Sequence, residues 1–199
     1  MSEYIGRLQE AGLIPVISIE DADNATALAR ALDEGGLPVA EITFRTAAAE
    51  ASIRAISTQV PEVLVGAGTV LTVKQVQAAV AAGARFIVSP GFNPDVVDFC
   101  IDQGIAVVPG INNPTGIEAA LSRGLSYLKF FPAEASGGLK MLRAMSAPYG
   151  GVRFMPTGGV KLDNLAEYLA APMVFAAGGS WIAPKELIAR KDFEEIGNR

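Results

Sequence analysis

The sequence contains no histidine, and its only cysteine is Cys100. Without imidazole there is no Ser-His-Asp arrangement, no nitrogen ligand for a metal, and no side chain that ordinarily titrates near neutral pH. A lone thiol cannot close an internal disulfide or assemble a zinc site. Carboxylates holding a hard metal are the one metal chemistry left open. Any proton transfer otherwise falls to Glu, Asp, Lys, Tyr or water. No apolar run approaches the roughly 20 residues of a membrane span. The segment Met1–Arg7 lacks the apolar stretch of a signal peptide. These absences lead us to expect a soluble protein of a reducing cytoplasm, with no membrane partner. The net charge of −5 comes with no basic stripe, so no nucleic-acid partner is expected. A small anionic substrate stays compatible, because a local pocket can oppose the global sign.

What is present is apolar and alternating. Half of the 199 residues are hydrophobic and 19% are charged, a balance that suits a packed core and not disorder. Eight β-rich runs recur about every 20 residues: Leu13–Ile19, Val39–Arg45, Leu64–Gly68, Phe86–Ser89, Ala106–Pro109, Tyr127–Phe131, Arg153–Pro156 and Val174–Ala177. Helical stretches near 22–34, 47–59, 73–82, 94–103, 114–123, 138–146 and 163–170 separate them, and a last short helix starts near Pro184. Asp21, Thr46, Thr72, Asn93, Asn113 and Asp163 are the expected N-caps, and Gly35, Gly83, Gly104 and Gly124 the expected left-handed helix ends. Strands alternating with helices predict a parallel sheet, and eight such units predict a single-domain (β/α)8 TIM barrel over residues 1–199. A doubly wound open sheet is the alternative. Residues 2–11 predict an extra amphipathic N-terminal helix closing the barrel bottom. Asp192, Glu194 and Glu195 read as a solvated tail, and Cys100 as a core residue.

One residue breaks the apolar logic. Lys129 lies inside Tyr127-Leu128-Lys129-Phe130-Phe131-Pro132. Burying an ammonium without a partner is costly, and burial favours the neutral amine, a nucleophile toward carbonyl carbon. Pairing with a carboxylate, or snorkelling from an edge strand, is the structural alternative. Alternation along a strand puts Tyr127, Lys129 and Phe131 on one face, and Glu41, Thr43 and Arg45 on one face of the second strand. With Ile42, Phe44, Leu128 and Phe130 packed under helices, the polar set enters the barrel. There a nearby Arg45 and partial desolvation favour the neutral amine. A self-satisfying Glu41–Arg45 ion pair is the structural alternative for that strand.

The strand ends carry glycines and hydroxyls. Strand three ends Gly66-Ala67-Gly68-Thr69, where glycines would let a ligand approach the backbone. Strands four and five end in Ser89-Pro90-Gly91 and Pro109-Gly110. The last two end in Thr157-Gly158-Gly159 and Gly178-Gly179-Ser180, each a glycine pair beside a hydroxyl. Backbone N–H groups after the last two strands of a barrel commonly hold phosphate; two tight turns are the alternative.

The segments Glu41–Thr46, Gly66–Val70, Ser89–Gly91, Lys129–Glu134, Pro156–Val160 and Gly178–Trp181 together resemble the class I KDPG/KHG aldolase family, the 2-keto-3-deoxy-6-phosphogluconate and 4-hydroxy-2-oxoglutarate aldolases. The resemblance implies a homotrimeric barrel acting on a phosphorylated keto sugar acid and pyruvate, with no cofactor and no metal. It implies Lys129 as the Schiff-base lysine and Glu41 as the proton-transferring base. Arg45 and Thr69 would hold the carboxylate region, and Pro90 and Phe131 would line the pocket. Thr157, Gly158, Gly159, Gly179 and Ser180 would surround the phosphate. The chain departs from the family pattern at Asn113 and Gly116, where relatives often carry Thr and Glu, and at Ser136. The implied reaction is aldol cleavage to pyruvate and glyceraldehyde 3-phosphate. The alternatives are the hydroxyoxoglutarate reaction, a phosphosugar isomerase or epimerase, a non-catalytic sugar-phosphate sensor, and a carboxylate-metal pyruvate aldolase.

Overall fold

The computed structural model describes residues 2–199. Nine short strands run β1 Leu13–Ile17, β2 Val39–Thr43, β3 Leu64–Gly68, β4 Phe86–Val88, β5 Ala106–Val108, β6 Gly110–Ile111, β7 Tyr127–Phe130, β8 Arg153–Pro156 and β9 Ala177–Gly179. Ten helices accompany them: α1 Ser2–Ala11, α2 Ala25–Glu34, α3 Ala49–Gln59, α4 Val73–Ala81, α5 Pro94–Asp102, α6 Pro114–Leu121, α7 Gly138–Ser146, α8 Leu162–Leu169, α9 Lys185–Arg190 and α10 Phe193–Gly197. Every strand pairing is parallel. One curled sheet has the order β5-β4-β3-β2-β1-β9, and a second has the order β6-β7-β8. The expected fifth strand stops at Val108 and resumes at Gly110, because Pro109 has no N–H to give the ladder. Isolated bridges join Phe154 to Val174 and Thr157 to Gly178.

Parity along the strands sorts the core into two layers. One face of the sheets carries Ile17, Ile42, Ala67, Ile87, Leu128 and Phe130 against the helices. The other carries Ile14, Val39, Leu64, Phe86, Val108 and Met155 into a separate inner cluster. Ile5 and Leu8 of α1 join that inner cluster, so the N-terminal helix caps one end of the inner face, as its amphipathic pattern predicts.

Several expected boundaries differ. The last strand is Ala177–Gly179, not Val174–Ala177; Val174 keeps only the bridge to Phe154. Thr46 does not cap α3, whose N-cap is Ala48; its hydroxyl is taken by the Ile19 carbonyl. Asp163 lies in the first turn of α8, which begins from Lys161. Gly36, at φ +82°, is the left-handed residue after α2 in place of Gly35. Residues 192–197 are not a free tail. Ile196 is buried and α10 packs against α2, because one apolar side chain every helical turn outweighs the flanking carboxylates. Among the described residues no helix is long and apolar enough to cross a membrane.

Two predictions follow from the core. Phe86 is fully buried in the inner cluster, so Phe86→Ala is expected to cost about 3–5 kcal/mol. A lower urea midpoint at unchanged m-value checks it. Cys100 is fully buried in α5, and burial pushes its thiol up to about 12. Folding therefore favours the protonated thiol. That contribution is complete at neutral pH and is lost as pH rises from about 9 toward 12. Thiol reagents should leave Cys100 untouched at pH 8 until the chain is unfolded, and Cys100→Ala should flatten the alkaline decline in stability.

Candidate active site

The inner face delivers two opposed charges to one point. Val39 and Tyr127, each two residues before Glu41 and Lys129, pack in or against the inner cluster. Strand alternation therefore turns Glu41 and Lys129 the same way. Lys129 Nζ donates to Glu41 Oε1 at 3.3 Å. Lys129 is 4% exposed and Glu41 0%. Glu41 Oε2 is buried with no hydrogen-bond partner among the described residues. The lysine nitrogen also lies 5.5 Å from the centre of the Phe131 ring, two residues further along the same face.

The strand-three glycines make this possible, in a way the sequence reading missed. A Cβ on Gly68 would strike the Glu41 carboxylate, and one on Gly66 would strike the Phe86 ring. These glycines admit neighbouring side chains of the protein, not a ligand against their backbone. Thr43 is also on the inner face, and its hydroxyl donates to the Ile17 carbonyl at 2.9 Å.

Arg45 departs from expectation. It lies beyond the end of β2, is exposed, and its Nε donates to Thr69 Oγ1 at 3.4 Å. Among the described residues Glu41 pairs with Lys129 and not with Arg45. The expected carboxylate is beside the buried amine, while the expected guanidinium lies at the exposed strand end. The physical reason is desolvation: one buried cation already neutralises Glu41, and a second would be left uncompensated. Thr69 has φ +55°, the left-handed region that a β-branched residue rarely adopts.

Two cavities share Phe131, and neither is lined by Lys129 or Glu41 themselves. The first, of about 520 Å³, is lined by Arg45, Phe131, Thr157, Gly158, Gly159 and Ser180, together with Thr43, Gly178 and Trp181. The second, of about 560 Å³, is lined by Pro90, Gly110, Asn113, Gly116 and again Phe131. Pro90 therefore lies on the neighbouring cavity. Gly179 lines neither, since its Cα faces the Trp181 indole, and Gly178 takes its expected place. Alternation contained this signal: Gly178 and Ser180 share a face, while Gly179 takes the other. Ser18 and Lys185 also line the first cavity and were not anticipated. Ser18 shares the inward parity of Ile14 and Val16 on β1, so it too was legible. Its hydroxyl and the Trp181 indole N–H are buried without partners among the described residues. Lys185 pairs across the rim with Glu20 at 3.0 Å. Among the described residues no group of three or more Cys, Asp or Glu gathers in a way that would hold a metal ion.

A small change should test how the pair is built. Gly68→Ala is expected to push the Glu41 carboxylate away from Lys129 while the fold persists. The expected loss is about 10²-fold in any activity that uses the pair, measured alongside a structure of the variant. Full activity with Glu41 in place would remove Gly68 from this account.

Comparison with known proteins bears on the chain as a whole. A family model described as KDPG and KHG aldolase matches residues 5–199. The chain is 52% identical over 189 residues to the 2-dehydro-3-deoxy-phosphogluconate aldolase of Treponema pallidum, covering 95% of this chain and 90% of that one. It is similar to the KDPG aldolase of Legionella pneumophila, solved with pyruvate captured at low pH as a covalent carbinolamine. That match has TM-score 0.94 and 39% identity, and covers 97% of this chain and 94% of that one. It also resembles the Zymomonas mobilis 2-keto-3-deoxy-6-phosphogluconate aldolase solved with 3-phosphoglycerate, with TM-score 0.87 and 39% identity, covering 98% and 94%. A family model matched over residues 5–199 and a relative 52% identical over 95% of the chain lead to one conclusion: the chain belongs to the KDPG and KHG aldolase family.

Proposed function

We propose that this chain is a class I aldolase that cleaves 2-keto-3-deoxy-6-phosphogluconate to pyruvate and glyceraldehyde 3-phosphate through a Schiff base on Lys129. The single observation that carries this reading is a lysine amine, 4% exposed, 3.3 Å from a fully buried carboxylate. An ammonium cannot attack a ketone. A proton moved from Nζ to Glu41 leaves a neutral amine beside a neutral acid, with no net charge stranded in the interior.

The amine adds to the C2 ketone and forms a carbinolamine. Protonation of its hydroxyl by Glu41 lets water leave and gives a protonated imine. That iminium accepts the electron pair of the C3–C4 bond. Glu41 takes the C4 hydroxyl proton, directly or through a water, as the bond breaks and the aldehyde departs. The enamine left on Lys129 is protonated at C3, and hydrolysis of the imine releases pyruvate. The unpartnered Oε2 gives Glu41 a free acceptor for these transfers while Oε1 faces the lysine.

Substrate binding follows the cavity. Arg45, hydrogen-bonded to Thr69, offers a fixed cation to the carboxylate end. Phe131 packs between amine and solvent. Thr157, Gly158, Gly159, Gly178 and Ser180 hold the phosphate. Among the described residues the backbone N–H groups of Gly159 and Ser180 have no protein acceptor, which supports an anion there. The Zymomonas relative solved with 3-phosphoglycerate supports a phosphorylated ligand. In the same reading the two sheets are one closed eight-stranded (β/α)8 barrel forming a single domain. The short break at Pro109 and the bridges between the β8 and β9 segments support that closure. Assembly as a homotrimer and a cytoplasmic place rest on the family resemblance.

Hydroxyoxoglutarate is the second substrate to weigh, since the family includes that activity. A phosphate held by two or more charge-assisted hydrogen bonds should favour the phosphorylated acid by about 10²-fold in kcat/KM. Equal rates would shift the assignment to hydroxyoxoglutarate. Borohydride reduction in the presence of pyruvate is expected to trap one adduct, on the peptide containing Lys129, and none in Lys129→Ala. An adduct elsewhere would overturn the mechanism, and no adduct in active wild type would favour an isomerase or metal-assisted route. Glu41→Gln should still form the imine slowly but lose about 10²–10⁴-fold in turnover; normal turnover would reject it as the base.

A further inference from the structure

The Gly158–Gly159 turn is pinned from behind by groups that do not line the cavity. Three successive carbonyls are taken by the protein. Ala133 N–H donates to Thr157 O at 2.8 Å and Glu134 N–H to Gly158 O at 3.0 Å. Asn164 Nδ2, on α8, donates to Gly159 O at 3.2 Å. In a trans peptide the carbonyl of one residue and the N–H of the next point in opposite directions. Fixing those three carbonyls therefore fixes the directions of the N–H groups of Gly158, Gly159 and Val160. All three residues line the first cavity.

Glu134 is the keystone of this backing. Gly159 has φ +87°, and a Cβ there would lie 2.5 Å from Glu134 Cγ, so the glutamate stem is pressed against the turn. The Glu134 carboxylate is held in turn by Tyr168 of α8, whose hydroxyl donates to Oε1. Tyr168 is 2% exposed. Burial, reinforced by that carboxylate, raises its phenol above the usual range, so it remains a donor throughout the working pH range. A surface glutamate would not recruit a buried phenol for solubility alone, since exposed carboxylates are well solvated without one.

We infer that the Tyr168–Glu134 pair is a positioning strap that sets the geometry of the Gly158–Gly159 turn and so governs affinity for the phosphate end of the substrate. The inference rests on the phosphate role given to that turn above. Neither residue lines the cavity, so neither touches the substrate. Their effect should appear in binding of the phosphorylated end and not in the lysine chemistry.

The test compares Tyr168→Phe, Glu134→Ala and Glu134→Gln with wild type. Its readouts are KM and kcat for the phosphorylated acid and for 4-hydroxy-2-oxoglutarate, and inhibition by inorganic phosphate. Tyr168→Phe and Glu134→Ala are expected to raise KM for the phosphorylated acid and the phosphate inhibition constant about tenfold. Both constants for the unphosphorylated acid should hold. Glu134→Gln should retain most of the wild-type behaviour, because its amide oxygen still accepts from Tyr168. If wild type favours the phosphorylated acid and is inhibited by phosphate, but Tyr168→Phe and Glu134→Ala match it, the strap alone is overturned. Equal losses on both acids, with a lowered melting temperature, would also overturn it in favour of ordinary packing. If wild type shows neither preference nor phosphate inhibition, the phosphate reading falls and takes the strap with it.

Discussion

The rest of this molecule is arranged around an almost fully buried ion pair. Lys129 and Glu41 meet at 3.3 Å on the inner face of the sheets, each almost wholly removed from solvent. Such a pair is a poor source of stability. Desolvation offsets most of the attraction, and a well-packed apolar pair of similar volume is often as stable or more so. Removing one partner is far worse, about 3–5 kcal/mol, because the other charge is then buried alone. The surrounding structure carries that burden. Gly68 gives up its side chain so that the carboxylate fits, and the Phe131 ring lies 5.5 Å from the amine. A fold bearing this expense for a pair that adds little stability points to the pair's chemistry as the reason for it.

The meeting of Glu41 and Lys129 was largely legible because strand parity is a two-valued signal. Once Ile42, Leu128 and Phe130 are placed under helices, Glu41 and Lys129 have only one other face to occupy. What parity cannot give is distance along the strand axis. Arg45 has the same parity as Glu41 but lies past the last paired residue of β2, where the chain meets solvent, and it reaches Thr69 instead. The strand-three glycines misled for a related reason. Composition marks a place where a side chain is missing, and only the packing shows whether a ligand or a neighbouring residue fills it. The ends of elements were the other blind spot. Thr46 and Asp163 are good capping residues, yet a tertiary acceptor at Ile19 and a start at Lys161 overrode local preference. In α10 the charged residues suggested a tail, while the buried Ile196 fixes a helix on α2.

The departures from the family pattern fall where they leave the lysine undisturbed. Asn113 caps α6 through its side chain, accepting from Gly116 N–H at 2.9 Å. Gly116 sits so close to Ile111 that a Cβ would approach its Cγ2 to 2.8 Å. Both line the second cavity, which shares only Phe131 among the candidate residues of the first. Reshaping that wall changes what can sit beside the ring without moving the strands that carry Lys129 and Glu41.

Rigidity is distributed according to what each part must do. Around the glycine turn, every carbonyl from Thr157 to Gly159 is taken by a protein donor, so its N–H directions are set before a ligand arrives. Preset donors bind an anion without spending interaction energy on ordering themselves. Beside Arg45, Thr69 is held in a left-handed conformation that costs a β-branched residue of order 1–3 kcal/mol. Val70 N–H bonded to Val88 O at 3.2 Å helps keep the chain there, and the result is a hydroxyl turned toward Arg45. The glycine turn and the Thr69 hydroxyl are thus both set by backbone constraint, and the only ionic partner of the Lys129 amine among the described residues is a carboxylate. In the proposed mechanism, orientation of the substrate at both places is what would convert a buried lysine from a structural liability into a nucleophile aimed at one carbon.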